Sequence, residues 1–300
     1  MSTEPRPRRY VVEPGAARQR LDQFLFDRVA TLSRMQIRAA IRDGAVRVND
    51  MTAQAGAKLA LGDRVEARLD ESRPSAMRPE PLPLRIVHEA RDWAVIDKPA
   101  GMLVHPTLKV KSGTLLNGLA ALWNGPGRPV VRPILVHRLD QATSGLVVVA
   151  RTPAAGRALG NALAAGRFEK SYRAILDGVV ERDSFEIEAP IARVSETEPH
   201  WRVSPEGKAA LTRLRVLERG PRRTLVELEP VTGRTNQLRV HCAHAGRPIV
   251  GDRAYGGTAA ERLCLHAERL RLPDPETGAT LTVEADLPCE FARIWDESTA

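Results

Sequence analysis

The stretch "VHRLDQATSGLVVVA" (residues 136–150) places an arginine and a carboxylate directly before an apolar run. Residues 146–149 are continuously apolar and mostly β-branched, which predicts a strand buried on both faces. Asp140 stands at the mouth of that strand, and Arg138 precedes it by two residues. An unpaired carboxylate beside a hydrophobic core is unfavourable. Asp140 and Arg138 therefore form either a structural ion pair or part of a functional cleft.

The charge of the chain favours a polyanionic partner. The 300 residues carry a formal net charge of +8 with a pI near 9.9, and such an excess of cations is typical of proteins that bind nucleic acids. Most of the 45 basic residues are arginines, however, and a coding preference for arginine would give the same balance. The positions of the arginines must therefore decide.

Neither a disulfide framework nor a membrane segment is indicated. The three cysteines, Cys242, Cys264 and Cys289, lie far apart without a C-x-x-C pair, which is typical of buried thiols in a reducing compartment. No apolar run reaches the length of a transmembrane helix, and the basic N-terminus lacks the apolar segment of a secretory signal. We expect a cytoplasmic protein without membrane association.

Residues 20–69 predict a small module of two helices and short strands. The stretch "RLDQFLFDRV" has apolar residues at largely helical spacing. Ser33 offers an N-cap for a second helix, "RMQIRAAIRDG", which Gly44 can end. The strand-like stretches "AVRVN" and "DRVEARL" follow.

Three arginines, Arg34, Arg38 and Arg42, recur every fourth residue along that second helix. They share one face, and no acidic residue lies in register with them. Like charges at this spacing repel by roughly 0.2–0.5 kcal/mol per pair, and a phosphate ligand would offset that repulsion. We therefore predict that the three arginines bind RNA, the alternative being a merely solvated helix face.

Composition divides the chain into four parts. Residues 1–19 lack apolar periodicity and predict a flexible N-terminal arm, and residues 70–83, "DESRPSAMRPEPLP", predict a linker. Residues 84–300 alternate strand-like stretches such as "WAVIDKP" with helical ones such as "TLLNGLAALW". This order predicts an α+β domain with a mixed, largely antiparallel sheet, preceded by the small α/β module of residues 20–69.

A second polar cluster lies in "PVTGRTNQLRVHCAHAG" (residues 230–246), which predicts a turn at Gly233 and a helix carrying Arg239. His241 and His244 on that helix are three residues apart, a spacing compatible with a shared metal ion. No H-E-x-x-H motif and no carboxylate of the same helix accompany them. We therefore expect structural histidines and no metal site.

Several motifs together resemble known families. Four stretches resemble motifs of the RluA family of pseudouridine synthases. They are "VIDKPAGMLVHP" (95–106), "VHRLDQATSGLVVVA" (136–150), "EKSYRAIL" (169–176) and "PVTGRTNQLRVHCAHAGRPIVGDRAYG" (230–256). They occur in the family's order and span nearly all of residues 84–295. In the N-terminal module, "RLDQFL", "SRMQIRAAIRDGAVRVN" and "GDRVEARL" resemble the S4 RNA-binding domain. The chain is most similar to the members that carry S4 and act on large RNAs.

The resemblance implies roles for individual residues. Asp140 would be the catalytic carboxylate, and Tyr172 would pack against the target base. Arg239 would pair with Asp140, and Arg138 would help to displace the target nucleotide from its stack. One departure is visible, because many members have His where this chain has Asn236. That difference leaves the position without an assigned role.

The resemblance also implies the reaction, the isomerisation of uridine to pseudouridine. It breaks the glycosidic bond at N1 and rejoins uracil through C5, so it needs neither a cofactor nor a metal. A uridine in folded RNA must first be flipped out, and water must be excluded while the base is detached. We expect a monomer acting on large-subunit ribosomal RNA. The alternatives are transfer RNA as substrate, or an inactive RNA-binding ribosome-assembly factor.

Overall fold

The computed structural model describes residues 7–71, 78–107, 109–125, 127, 130–195 and 200–296. The chain divides into two compact units. The first unit comprises Met1–Leu82 and His105–Pro133, and the second comprises Pro83–Val104 and Ile134–Ala300.

The first unit combines a small antiparallel sheet with helices. Its elements are β1 (Arg8–Val11), α1 (Leu21–Arg28), α2 (Arg34–Arg42), β2 (Val46–Val48), β3 (Met51–Thr52), β4 (Arg64–Ala67) and α3 (Leu115–Trp123). The strand order is β1-β4-β2-β3. Ser33 caps α2 as predicted, because its hydroxyl accepts a hydrogen bond from the Gln36 N–H and the Gln36 side chain accepts one from the Ser33 N–H. Phe24 and Ile37, fully buried, pack α1 and α2 into one core.

The flexible arm predicted for residues 1–19 does not hold for its described part. β1 pairs with β4 along the sheet edge, and a short 3-10 helix follows at Pro14–Ala16. Val12 and Ala16 are buried in the core. Elements of three or four residues are too short to produce apolar periodicity, so the sequence pattern did not reveal them. Residues 1–6 of the predicted arm lie outside the described residues.

The two units also differ from the predicted domains. The prediction assigned residues 105–133 to the domain 84–300, whereas in the structure they belong to the first unit. Arg132, which is 8% exposed, gives a physical reason. Its guanidinium donates hydrogen bonds to the carbonyl oxygens of Phe26, Val29, Ala30 and Leu32. These carbonyls lie at the end of α1 and in the segment that follows it, where helical partners run out. Of the linker predicted at 70–83, residues 72–77 lie outside the described residues.

The second unit is built on one large sheet. Its strands are β5 (Arg85–Glu89), β6 (Trp93–Lys98), β7 (Ile134–Leu135), β8 (Ser144–Ala150), β9 (Glu169–Asp177), β10 (Ser184–Glu188), β11 (Ile191–Arg193), β12 (Trp201–Val203), β13 (Leu211–Arg219), β14 (Arg223–Pro230), β15 (Leu265–Pro273) and β16 (Thr280–Glu284). Its helices are α4 (Pro153–Ala164), α5 (Gln237–His244) and α6 (Cys289–Asp296). A short 3-10 helix lies at Arg253–Tyr255.

The order of strands in the large sheet is β10-β13-β14-β9-β15-β8-β6-β5, with β16 on β15 and β7 on β8. β15 and β8 run parallel, whereas the other paired strands are antiparallel. β11 and β12 form a separate hairpin. The prediction of an α+β fold with a mixed, largely antiparallel sheet is confirmed.

The start of β8 depends on Gly145. Every residue of β8 is buried, as the apolar run predicted. Gly145 has φ of 110°, and a Cβ atom there would lie 2.3 Å from the backbone oxygen of Ala267 on β15. Only glycine allows this backbone conformation and this close approach. The parallel pairing with β15 therefore fixes the end of β8 that follows Asp140.

None of the helices in the described part of the chain combines the length and the hydrophobicity that a membrane crossing requires.

Candidate active site and RNA-binding face

Asp140 lies in the loop between β7 and β8. Arg138 and Asp140 therefore belong to no strand, because β7 ends at Leu135 and β8 begins at Ser144. A hydrogen bond from the Thr143 N–H to the Asp140 carbonyl oxygen (3.2 Å) closes a turn in the loop. Arg138 and Asp140 nevertheless line the same cavity.

Lys98, at the end of β6, holds the loop that carries Asp140. Its fully buried ammonium group donates to the carbonyl oxygens of Pro99 (2.9 Å), Met102 (2.9 Å) and Gln141 (3.2 Å). Burial lowers the pKa of Lys98 to about 8, and the nearby charge of Asp140 opposes that decrease. Because Gln141 follows Asp140 directly, Lys98 joins this loop to the one after β6.

Tyr172 reaches the same cavity from β9. β15 separates β9 from β8, and Ala267 of β15 lies opposite both Tyr172 and Gly145. Tyr172 and the Asp140 loop therefore flank one strand. Tyr172 is only 8% exposed, and burial together with the charge of Asp140 raises the pKa of its phenol. The hydroxyl thus stays protonated at neutral pH.

Arg239 enters the cavity from α5, whose first turn is anchored by the buried Gln237. The amide nitrogen of Gln237 donates to the carbonyl oxygen of Leu211 (2.9 Å) and to the hydroxyl of Thr212 (3.0 Å). Its amide oxygen accepts from the hydroxyl of Thr232 (2.7 Å). These bonds attach the start of α5 to β13 and to the turn that precedes the helix.

Asp252, rather than Asp140, is the main partner of Arg239. Nε and Nη2 of Arg239 donate to the two carboxylate oxygens of Asp252 at 2.7 Å each. Nη1 of Arg239 lies 3.9 Å from Oδ2 of Asp140. The resemblance implied a pair of Arg239 and Asp140. In the structure this contact is the longer one in a triad formed by Asp140, Arg239 and Asp252. The sequence contained Asp252 in the motif "GDRAYG" but gave no signal that Arg239 would bind it.

These side chains converge on one cavity of about 550 Å³. The three residues predicted to be catalytic, Asp140, Tyr172 and Arg239, all line it, and so does Arg138, which was predicted to bind RNA. Apolar wall residues are Leu139, Leu163, Phe168, Val231, Leu238 and Leu265. Charged and polar side chains share the lining with these apolar ones. A cavity of this size, with convergent polar groups, suits a small planar ligand such as a nucleobase.

Opposing influences set the ionisation of Asp140. Burial has the largest effect and raises the pKa of Asp140 above that of an ordinary carboxyl. The positive charges of Arg239, Arg138 and Lys98 lower this pKa, whereas the negative charge of Asp252 raises it. The side chain of Asp140 is 25% exposed. The result is a carboxylate that can accept a proton or attack an electrophile once it is ionised.

The histidines of α5 are not arranged as metal ligands. His241 is fully buried, with Nε2 donating to the Ala189 carbonyl oxygen (2.9 Å) and Nδ1 accepting from the Thr212 hydroxyl (2.9 Å). His244 is exposed. Within the described ranges, no group of three or more His, Cys, Asp or Glu residues is placed to hold a metal ion.

In the first unit, the three arginines predicted to bind RNA lie on α2, but two of them contact carboxylates. Nε of Arg38 donates to the buried carboxylate of Asp22 on α1 at 2.7 Å. Nε of Arg42 donates to Asp43 at 3.3 Å, with both side chains exposed. The guanidinium of Arg34 lies over an aromatic ring of α1. The assumption that the arginines lack acidic partners is therefore wrong for Arg38.

Comparison with known proteins agrees with the motifs and the fold. A family model described as RNA pseudouridylate synthase matches residues 92–244, and an S4 domain model matches residues 19–65. An uncharacterized RNA pseudouridine synthase of Bacillus subtilis is 37% identical over 281 residues, covering 92% of this chain and 93% of that protein. The ribosomal large subunit pseudouridine synthase D of Pasteurella multocida is 37% identical over 294 residues, covering 92% and 90%.

A solved structure supports the same assignment. The human protein RNA pseudouridylate synthase domain containing 1 superimposes with a TM-score of 0.57 at 28% sequence identity, covering 74% of this chain and 98% of that one. Sequence motifs, sheet topology and relatives along nearly the whole length agree. The chain belongs to the RluA family of RNA pseudouridine synthases, isomerases of uridine in RNA, and carries an S4 domain at its N-terminal end.

Proposed function

We propose that this enzyme converts specific uridines of large-subunit ribosomal RNA to pseudouridine, with Asp140 as its catalytic carboxylate. The observation that carries the proposal is the convergence of Arg138, Asp140, Tyr172 and Arg239 on one cavity. The relative from Pasteurella multocida, which is named for the large ribosomal subunit, is similar along almost the entire chain. That similarity favours ribosomal RNA over transfer RNA as the substrate.

The reaction requires an ionised carboxylate close to the ribose. The bond from N1 to C1′ breaks, uracil turns, C5 bonds to C1′, and the proton lost from C5 is balanced by one gained at N1. Asp140 either attacks C1′ to form a covalent ester or removes the C2′ proton; both routes require it to be deprotonated. The largely buried setting keeps water from the detached base. Because substrate and product are isomers, the reaction consumes no co-substrate and requires no external oxidant or reductant.

Tyr172 and Arg138 suit the handling of a flipped nucleotide. A paired or stacked uridine must leave its helix before its glycosidic bond can reach Asp140. The ring of Tyr172 forms part of the cavity wall and packs against uracil, whereas the exposed Arg138 helps to displace the nucleotide from its stack. Arg239, held by Asp252, places a positive charge beside Asp140.

The arginines of α2 suit contacts with RNA phosphates. Arg34 and Arg42 are exposed, and Arg38 keeps half of its side chain exposed while it contacts Asp22. Phosphate contacts hold and orient RNA without reading its sequence. In this proposal, α2 contributes affinity and the cavity contributes chemistry. The proposed enzyme acts as a monomer in the cytoplasm.

A direct assay tests the proposal. Wild-type protein and Asp140→Asn are incubated with unmodified transcripts of large-subunit ribosomal RNA and with transfer RNA, and pseudouridines are mapped by carbodiimide labelling. We expect modification of discrete uridines in ribosomal RNA by the wild type, unaffected by EDTA. The variant should bind RNA and melt like the wild type but modify nothing, because an amide acts neither as nucleophile nor as base.

Each part of the proposal has its own contrary result. Turnover by Asp140→Asn within about tenfold of wild type, roughly 1.4 kcal/mol of barrier, would contradict the role of Asp140. Modification confined to transfer RNA would contradict the substrate. Tight binding of ribosomal RNA by the wild type without any modification would indicate an inactive assembly factor.

A further inference from the structure

We propose that Asn236 positions the carboxylate of Asp140 through its side-chain amide, and that the hydroxyl of Tyr255 fixes the orientation of that amide. The inference rests on the proposed role of Asp140 as the catalytic carboxylate. Asn236 is a positioning residue, because it acts through Asp140 and not on the RNA.

The amide of Asn236 lies between Asp140 and Tyr255. Its nitrogen and oxygen are assigned from the hydrogen bonds that each can make. With Nδ2 towards the carboxylate, it donates to Oδ2 of Asp140 at 2.9 Å and to Oδ1 at 3.2 Å, while its own oxygen accepts from the Tyr255 hydroxyl at 3.0 Å. The reverse orientation keeps only a bond from Nδ2 to Tyr255 and sets the amide oxygen against the carboxylate. Two acceptors repel, so the first orientation is the stable one.

The backbone of Asn236 supports this role independently. Its φ of 55° and ψ of 19° lie in the left-handed region, which residues other than glycine rarely adopt and which asparagine tolerates best. Asn236 is also the N-cap of α5, where asparagine ordinarily accepts a bond from a helix N–H. Its side chain makes no such bond. The side chain of Asn236 therefore does not cap α5, and its amide is directed at Asp140 instead.

Tyr255 is itself held in place by its ring. The ring of His200 stacks on it with centroids 4.6 Å apart and planes inclined by 28°. The guanidinium of Arg239 lies over the same ring, 4.9 Å from its centroid, and Asp252 fixes that guanidinium. The hydroxyl that meets Asn236 therefore belongs to a ring with little freedom to turn away.

A neutral donor has a specific effect on Asp140. The charged or titratable groups that act on this carboxyl are Arg138, Arg239, Asp252, Lys98 and Tyr172. Hydrogen bonds from Asn236 favour the ionised carboxylate without adding a charge. If they are lost, burial, which raises the pKa of Asp140, is less opposed. The acidic limb of the rate profile should then move to higher pH, because the reactive form is the deprotonated one.

Two substitutions at position 236 separate the donor from the backbone. Asn236→Gly removes the amide but suits both the left-handed conformation and the N-cap. Asn236→His keeps an N–H donor and introduces the residue found in many members of the family. We expect Asn236→Gly to lower kcat about ten- to a hundredfold, as for a lost hydrogen bond to a charged group, with KM for RNA within about twofold. The acidic limb of the rate profile of Asn236→Gly should move to higher pH by about one pH unit.

Two further variants test whether a donor at position 236 is sufficient and whether Tyr255 acts through Asn236. Asn236→His should keep kcat within about threefold of wild type, because it retains a donor to the carboxylate. Tyr255→Phe should lower kcat about three- to tenfold, as for a neutral hydrogen bond. In the Asn236→Gly background, Tyr255→Phe should have no further effect, because both act on the same carboxylate.

A titration without RNA separates this inference from the proposed function. The ¹³C resonance of the Asp140 carboxyl in the full chain, assigned by its loss in Asp140→Asn, should titrate at higher pH in Asn236→Gly. Wild-type turnover in Asp140→Asn would defeat the catalytic assignment, and the titration would still decide the positioning. Unchanged kcat and an unchanged titration in Asn236→Gly would overturn the inference. Equal losses in the glycine and histidine variants would overturn it as well.

Discussion

Arg239 binds Asp252 through two hydrogen bonds of 2.7 Å, while its third nitrogen, Nη1, stays 3.9 Å from Asp140. A guanidinium that makes a bidentate pair of hydrogen bonds to one carboxylate is fixed in orientation. Its charge is therefore held next to Asp140 without a short bond that would occupy a carboxylate oxygen. The arrangement leaves the carboxylate of Asp140 less strongly stabilised than in an ordinary ion pair, which suits the catalytic role proposed for it.

The first prediction concerns this triad. Arg239→Leu removes a cation that favours the ionised form of Asp140, so the pKa of Asp140 should rise further and the acidic limb of the rate profile should move to higher pH. Arg239→Lys keeps the charge but not the fork. It should hold the limb near its wild-type position while lowering kcat by about tenfold, or 1.4 kcal/mol. Single-turnover rates at saturating RNA between pH 5 and 9 measure both, and an unchanged limb in Arg239→Leu would show that the two groups do not interact.

A second prediction concerns the ring of Tyr172. If this ring packs against uracil, Tyr172→Phe should bind RNA containing the target uridine about as well as wild type. Tyr172→Leu should lose a stacking interaction of roughly 1–3 kcal/mol. Affinity is compared between RNAs with and without the target nucleotide, so that general phosphate contacts cancel. An equal loss in both variants would assign the effect to the hydroxyl, and no loss in either would remove Tyr172 from base binding.

The sequence predicted those features of the fold that depend on neighbouring residues. Ser33 and Gln36 form the capping box of α2 because the two residues are three apart on the chain. The buried strand β8 follows from its own apolar run. Asp140 and Tyr172 were assigned from family motifs, and the structure brings both to one cavity.

Features that depend on packing between distant elements were not predicted. Asp22 belongs to α1 and meets Arg38 only because α1 packs against α2. Arg132 reaches the carbonyls at the end of α1 across about a hundred residues. Asn236 had no role assigned from its motif, since the sequence shows neither its left-handed backbone nor its distance to Asp140.

A third prediction tests the contact between Arg38 and Asp22. Burial alone raises the pKa of Asp22, but hydrogen bonds from Arg20 (3.1 Å) and Arg38 (2.7 Å) outweigh it, so the pKa lies below its usual range. Arg38→Ala should therefore lower the free energy of unfolding at pH 7 by about 2 kcal/mol. Arg42→Ala, which removes an exposed ion pair with Asp43, should change it by less than about 0.5 kcal/mol.

The sign of the pH dependence follows from the lowered pKa. A carboxyl with a lowered folded-state pKa contributes stability above its unfolded value, near 4, and loses it as the pH falls through the folded value. The difference between wild type and Arg38→Ala should therefore shrink below pH 4. Urea unfolding at pH 7, 4 and 3 measures it. A difference that stays constant over this range would show that Arg38 stabilises the fold by packing alone.

The last prediction tests the proposed contacts of α2 with RNA phosphates, using the two arginines that do not hold a buried carboxylate. Arg34→Ala combined with Arg42→Ala should weaken binding of ribosomal RNA, because each arginine that neutralises a phosphate releases counterions. The slope of log affinity against log salt should fall by roughly 0.7 per contact on single strands, or about 1.4 for the pair. The maximal rate should stay near wild type, since neither residue lines the cavity.

A matched control removes two other exposed arginines from the same unit. Arg9 contacts Glu66 on the sheet and Arg64 contacts Asp50, both at the surface. Arg9→Ala combined with Arg64→Ala lowers the net charge by the same amount and should leave the salt slope near wild type. Equal reductions in both double variants would assign the effect to net charge and not to α2. A selective reduction in the α2 variant identifies that face as the site of the phosphate contacts, because only position, and not charge, distinguishes the two.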